Sequence, residues 1–445
     1  MTLTRRLPAL LAALVLLLGA VTALAGNAAA ERLQQTLRPI IFVHGFFGSA
    51  SQIQTQAKRF ASNGYPATYI EGHDYDSTFE ENSMEEVHAA LDQRIARLKA
   101  ATGADKVELV GHSLGTEVSQ RYLKSSAQRA ANVAHYVNLD GVGALSPPGG
   151  VPTLAIWGEG NYSSIIGATN VRQSDESHVQ VTSSEATFRQ MYRFFTGQDP
   201  ATTDVVPQDG PIQIAGRAVE FPSNVGYTGG NARLEVYDLD PATGQPKSQQ
   251  PVARFQLTGD GSFGPFEGDP DAYYEFRLVR TDTDRQHHHY VTPLRRTDLG
   301  LRLLSSSPGS LVDSLIERNP AHVSLLTYRN KEWWGDQGSN SDVLSLNGDN
   351  VVTAGIAPRS KRAIGIFNYD WRSDKRTDLS RPISTFSLLP FMTGADLYLP
   401  ASSDASGKVT VEYRQRGGSG TTQVAVPNWP SDKHTNTIYL DDYSN

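Results

Sequence analysis

The run Val107-Glu108-Leu109-Val110-Gly111-His112-Ser113-Leu114-Gly115 constrains this chain more than any other stretch. An apolar segment of strand length ends in a G-x-S-x-G pentapeptide, and a helical pattern continues through Thr116 to Ala127. Strand, sharp turn and helix are the order that holds a serine proud of a fold. A serine hydroxyl is a weak nucleophile, useful only beside a base and beside donors for a developing oxyanion. Gly111 and Gly115 carry no β-carbon to clash as strand and helix close around Ser113, and the helix N-terminus behind it favours negative charge.

Met1 to Ala30 has Arg5 and Arg6, an apolar run from Leu7 to about Ala25, and Ala28-Ala29-Ala30 before Glu31. That is the layout of a secretory signal peptide with an A-x-A cleavage site, with an uncleaved membrane anchor as the alternative, so residues 1–30 are set aside and the protein is expected to be exported. The absence of cysteine excludes disulfides, thiolate metal sites and a lipid-modified cysteine. Net charge is -7, and no basic block or aromatic-interleaved basic stripe suggests a nucleic-acid surface. The expected partner is a small or lipidic ester.

From Glu31 onward the chain is too long for one ordinary domain. Its character changes near Thr196-Gly197-Gln198-Asp199-Pro200. Residues 31–200 alternate strand and helix patterns: strands at Pro39 to Val43, Ala67 to Ile70, Val107 to Val110, Val133 to Leu139, Val151 to Ile156 and Asn170 to Gln173, with helices between them and a last helix from Ser184 to about Thr196. Ser83 and Glu86 form a capping box for a helix whose Met84, Val87, Leu91, Ile95 and Leu98 share one face. Such alternation predicts a mostly parallel sheet with helices on both faces and a functional edge at the strands' carboxyl ends.

Ser113 lies at that edge, and so does His44-Gly45-Phe46-Phe47-Gly48 after the first strand. This glycine-bracketed turn can aim backbone N–H groups at a carbonyl oxygen, which makes the N–H groups of Phe46 and Leu114 the candidate oxyanion donors, with His44 and Gly45 as loop support. A base and an acid should follow in the order Ser, Asp or Glu, His. His178, in a loop after the last strand and before the last helix, is the best base, whereas His135 falls inside a strand pattern. Two strand ends offer an acid: Asp140 directly after Val133 to Leu139, which is preferred, and Glu159 after Ile156-Trp157-Gly158. No cofactor and no metal are called for.

The remainder reads as β throughout, with short strands at Leu234 to Tyr237, Arg254 to Leu257, Tyr274 to Leu278, Val323 to Leu326, Val409 to Tyr413 and Thr437 to Leu440. Asn347-Gly348 marks a hairpin between Val343 to Leu346 and Val351-Val352. We expect one or two sandwich-like or barrel-like units, 211–292 and 293–445, parting near Pro293. His287-His288-His289 alternate faces if in a strand and so read as a solvated edge rather than a metal site. Trp333-Trp334 read as core.

The chain from Glu31 onward resembles α/β-hydrolase lipases and carboxylesterases that carry an all-β C-terminal domain, most closely long-chain enzymes of hyperthermophilic archaea. The resemblance rests on Phe42-Val43-His44-Gly45, Ala61-Ser62-Asn63-Gly64-Tyr65-Pro66-Ala67, Gly111-His112-Ser113, Leu139-Asp140-Gly141-Val142, His178-Val179-Gln180 and Val206-Pro207-Gln208-Asp209-Gly210. It implies Ser113, Asp140 and His178 as a triad, Phe46 and Leu114 as oxyanion donors, hydrolysis of lipid esters through an acyl-enzyme, and a lipid-contacting role for the β region. Those relatives insert a helical lid where this chain has only Glu71 to Ser83, so a more open pocket and esterase-like behaviour are expected here. An acyltransferase or polyester depolymerase would use the same residues, and a non-catalytic lipid-binding protein is the alternative outside enzymes.

Overall fold

The computed structural model describes residues 37–227 and 229–443, so the signal-peptide expectation lies outside the described residues. Six strands, β1 (Ile40–Val43), β2 (Ile70–His73), β3 (Val107–His112), β4 (Val133–Leu139), β5 (Thr153–Trp157) and β6 (Thr169–Arg172), form one sheet in the order β2-β1-β3-β4-β5-β6. All neighbours are parallel, which places the ends of β1, β3, β4 and β5 along one edge.

Alternation along β1 shows how the sheet is covered. Ile41 and Val43 pack with Val87, Leu91, Ile95 and Leu98 of helix α2 (Met84–Thr102), whereas Ile40 and Phe42 pack with the opposite layer. That layer holds Phe60 of α1 (Gln54–Ser62) and Phe188, Met191 and Phe195 of α5 (Glu185–Thr196). β1, β3 and β5 are therefore buried on both faces and read as near-continuous apolar runs, whereas the edge strand β6 is largely exposed. The expected capping box is present: Ser83 accepts from the Glu86 N–H while Glu86 accepts from the Ser83 N–H. The fold is the α/β-hydrolase-like sheet with an all-β region behind it, as the sequence predicts.

Two local expectations are corrected. Ala67–Tyr69 is a 3-10 turn rather than a strand, because Pro66 fixes its own φ at -63° and its carbonyl accepts from Tyr69 N, so β2 begins only at Ile70. The elbow helix α3 (Leu114–Ser125) stops before Ala127. Ser126 is extended there and caps a separate short helix, α4 (Ala127–Ala131), through the N–H of Arg129.

Beyond residue 211 the described residues form sheets of three, eight and four strands. The eight-stranded sheet takes strands from both sides of Pro293. Its strand His434–Tyr439 lies between Gln286–Val291 and Leu325–Tyr328, parallel to both. Asn347 and Gly348 form a two-residue hairpin turn with positive φ, but the returning strand is Asp349–Asn350; Val351 and Val352 leave it for the core.

His287, His288 and His289 are buried, not a solvated edge, because their strand is interior to that sheet. The alternation itself holds. His287 and His289 stack on one face, while His288 on the other bridges Glu275 and His434. No metal-binding cluster of His, Asp and Glu occurs among the described residues.

Ile438 is fully buried at the centre of this sheet. Ile438→Ala should cost about 2–5 kcal/mol. In hydrogen exchange, residues 273–280 and 365–369 should then lose protection together; independent loss would mean that the sheet is not one cooperative unit.

Candidate active site

The turn from β3 into α3 puts Ser113 at φ 52° and ψ -121°, a left-handed conformation that a serine adopts only when its surroundings enforce it. The enforcement is close packing of backbone. A β-carbon on Gly115 would lie 2.1 Å from the carbonyl oxygen of Val43, so only glycine lets α3 seat against β1. One on Gly45 would lie 2.8 Å from the Ser113 β-carbon, so the loop after β1 passes directly over the serine. Gly111 sits within β3.

Three side chains from separate strand ends and loops converge there. The hydroxyl of Ser113 stands 2.9 Å from His178 Nε2, and His178 Nδ1 donates to Asp140 Oδ2 at 2.6 Å. Asp140 directly follows β4, and its other oxygen accepts from the N–H of Gly158 at 2.8 Å. Burial pushes the Asp140 carboxyl up, but the hydrogen bond and charge of His178, with the Gly158 N–H, hold it below its ordinary value. It is thus an anion suited to fixing one imidazole tautomer.

The other candidates lie elsewhere. Glu159 pairs with Arg359 at 2.8 Å, and His135 bonds Glu108 at 2.9 Å beside Phe194. His44 is buried and stacked on Tyr75, with Nδ1 donating to the Gly45 carbonyl; burial lowers its pKa and keeps it neutral. His112 is held at about 3, by burial first and then by the charge of His178, so it stays neutral and donates Nε2–H to the His178 carbonyl at 2.8 Å. Phe46 lies on the loop beside the serine, where the N–H of its neighbour Phe47 is committed to Ser77. The N–H of Leu114 is the first of α3 and has no partner within the helix.

The site is not the open pocket expected from the short Glu71 to Ser83 segment. That segment is tied down: Asp74 accepts from Ala50 N and from Arg302 and Arg217, and Asp76 accepts the N–H groups of Thr78, Glu80 and Glu81. Cover comes instead from the β region, whose Phe391 ring lies parallel to His178 at 6.0 Å, with Ile364 beside it. About 10 Å³ remains over Ser113, the room of a single water molecule.

Sequence reasoning missed three residues here, all downstream of 211. Asn224 sends its amide to the carbonyls of Gly48 and Tyr75, steadying the loop after β1. Phe391 roofs the histidine, and buried Glu332 grips the loop that carries it. A lone polar residue or aromatic in an irregular β segment gives no periodic signal.

Comparison with known proteins follows the same division. The family model for class 2 lipases matches residues 37–138, that of the lipase C-terminal domain matches 210–308, and a further C-terminal-domain model matches 311–444. No curated protein matches. Among solved structures the chain is similar to lipase B of Aspergillus fumigatus, with 12% identity and a TM-score of 0.31, over 38% of this chain and 54% of that one. This chain thus spans about half that enzyme's length. A lipase of Bacillus licheniformis aligns at 17% identity and a TM-score of 0.28, over 36% of this chain and 93% of that one. Phospholipase PlaB of Legionella pneumophila aligns at 8% identity and a TM-score of 0.23, over 91% of this chain and 94% of that one. Lipase models matching on both sides of residue 200, around a Ser–His–Asp chain of hydrogen bonds, support a lipase or esterase family for this protein.

Proposed function

We propose that the protein is an exported serine hydrolase of lipid carboxylic esters, working without metal or cofactor. The observation that carries this reading is the continuous hydrogen-bonded chain from Asp140 through His178 to Ser113, on a strained elbow beside a glycine-lined loop. Ser113 attacks the acyl carbonyl as His178 Nε2 takes its proton. Asp140 holds the tautomer that leaves Nε2 free to accept, and stabilises the imidazolium that forms. The N–H groups of Phe46 and Leu114 receive the oxyanion, each worth about 3 kcal/mol of barrier. His178 then protonates the leaving alcohol, and water, activated by the same imidazole, cleaves the acyl-enzyme.

The walls support an apolar acyl group. Phe46, Phe47, Ile364 and Phe391 surround the triad, and Phe47 touches Phe221 at 5.8 Å. Phe221, Leu304, Val312, Phe367 and Met392 line an apolar cavity next to it within one packed cluster. The acyl chain enters by displacing Phe391 toward that cavity. Leu388, almost fully exposed just before Phe391, is where the β region would meet a lipid aggregate.

A fluorophosphonate probe should label the wild type and not Ser113→Ala; equal labelling of both would favour a non-catalytic lipid binder. Asp140→Asn should lower kcat by about 10⁴-fold while keeping the fold. Across p-nitrophenyl esters of rising chain length, Phe391→Ala should raise kcat/KM for octanoyl relative to acetyl ester by about tenfold, whereas an unchanged ratio would place the acyl chain elsewhere. Product analysis with added alcohol separates hydrolysis from acyl transfer.

A further inference from the structure

We infer that Glu332, from the β region, is a positioning residue for the base: it latches the loop that presents His178 to Ser113. This rests on the reading of His178 as the base, and goes beyond it by assigning part of the catalytic geometry to the second half of the chain.

The side chain of Glu332 is fully buried and makes three hydrogen bonds, all to the loop around the histidine. Oε2 accepts from the Ser177 hydroxyl at 2.6 Å and from the Gln180 N–H at 3.0 Å, while Oε1 accepts from the Val179 N–H at 2.6 Å. The residues on either side of His178 are thus both held by one carboxylate. From below, His112 bonds the His178 carbonyl. With its backbone fixed from two sides, the imidazole has little freedom left except rotation of its own side chain.

The latch is itself anchored. Arg329 and Arg416 both donate to the Glu332 backbone carbonyl, at 2.7 and 2.5 Å, and both pair with buried Asp342. Arg416 also reaches the Gln180 side chain at 2.5 Å. The two guanidiniums lie over Trp333 and Trp334, at 3.5 and 3.8 Å from the ring centres. Burying this many charges serves no core that apolar residues could not fill as well. Glu332 does not border the space over Ser113, so it can act on the reaction only through the loop.

Loss of a latch should therefore lower kcat and spare KM. The test is full-length Glu332→Gln, which keeps the shape but cannot accept at all three positions, assayed on a p-nitrophenyl ester well below its unfolding temperature. Expected are a kcat lower by about 10- to 100-fold with KM within about twofold, and loss or displacement of the low-field proton resonance of the His178–Asp140 hydrogen bond. Ser177→Ala, which removes one contact and leaves the buried carboxylate hydrogen-bonded, should lower kcat by about three- to tenfold and serves if Glu332→Gln does not fold. Wild-type kcat in either folded variant overturns the latch, as does a rise in KM alone. If Ser113→Ala is dead while those variants turn over normally, the triad stands and only the latch falls.

Discussion

The approach of α3 to β1 is the contact on which the rest depends. Helix and strand backbones meet with no side chain between them, and the residue at the turn is forced into a left-handed conformation that aims its hydroxyl outward. Such strain, worth about 1–3 kcal/mol, persists only where the surroundings over-determine it. Here the surroundings are the buried centre of a parallel sheet, where every residue of β1 pairs with β3. The outward placement of Ser113 is in this sense borrowed from the packing of the core beneath it.

His178 and the loop after β1 have no such rigid seat in their own domain. Both lie on irregular segments, and both are held by residues from beyond 211: Asn224 on the loop after β1, Glu332 on the loop around His178. Further ties run alongside, from Arg302 to Asp74, from Asn330 to the Ser51 carbonyl and from Asp442 to Thr55. The β region is thus built into the site rather than appended to it, and it also supplies the roof over His178.

What could be read from the sequence follows from how local each signal is. The elbow, the capping box at Ser83 and five of the six strands of the parallel sheet were legible because each is encoded in consecutive or periodic residues, and the order of motifs brought Ser113, Asp140 and His178 to one edge. The turn at Ala67–Tyr69 was misread because an apolar stretch after proline has strand composition, whereas the hydrogen bond to Pro66 that decides it is invisible to composition. The buried histidine triplet was misplaced for the opposite reason. Alternation was right, but which sheet position the strand takes depends on residues 434–439, far along the chain. The enclosed pocket was missed because Phe391 reaches His178 from a region with no sequence link to the triad.

Residues 434–439 fill the middle of a sheet whose first strand begins at residue 229. During synthesis the parallel sheet is complete once β6 and α5 have left the ribosome, yet the sheet whose neighbouring Glu332 steadies the His178 loop stays split down the centre until this late strand threads into the gap. Completion of the fold is consequently timed by its far end: a nascent chain carries Ser113 early and the support for the His178 loop last.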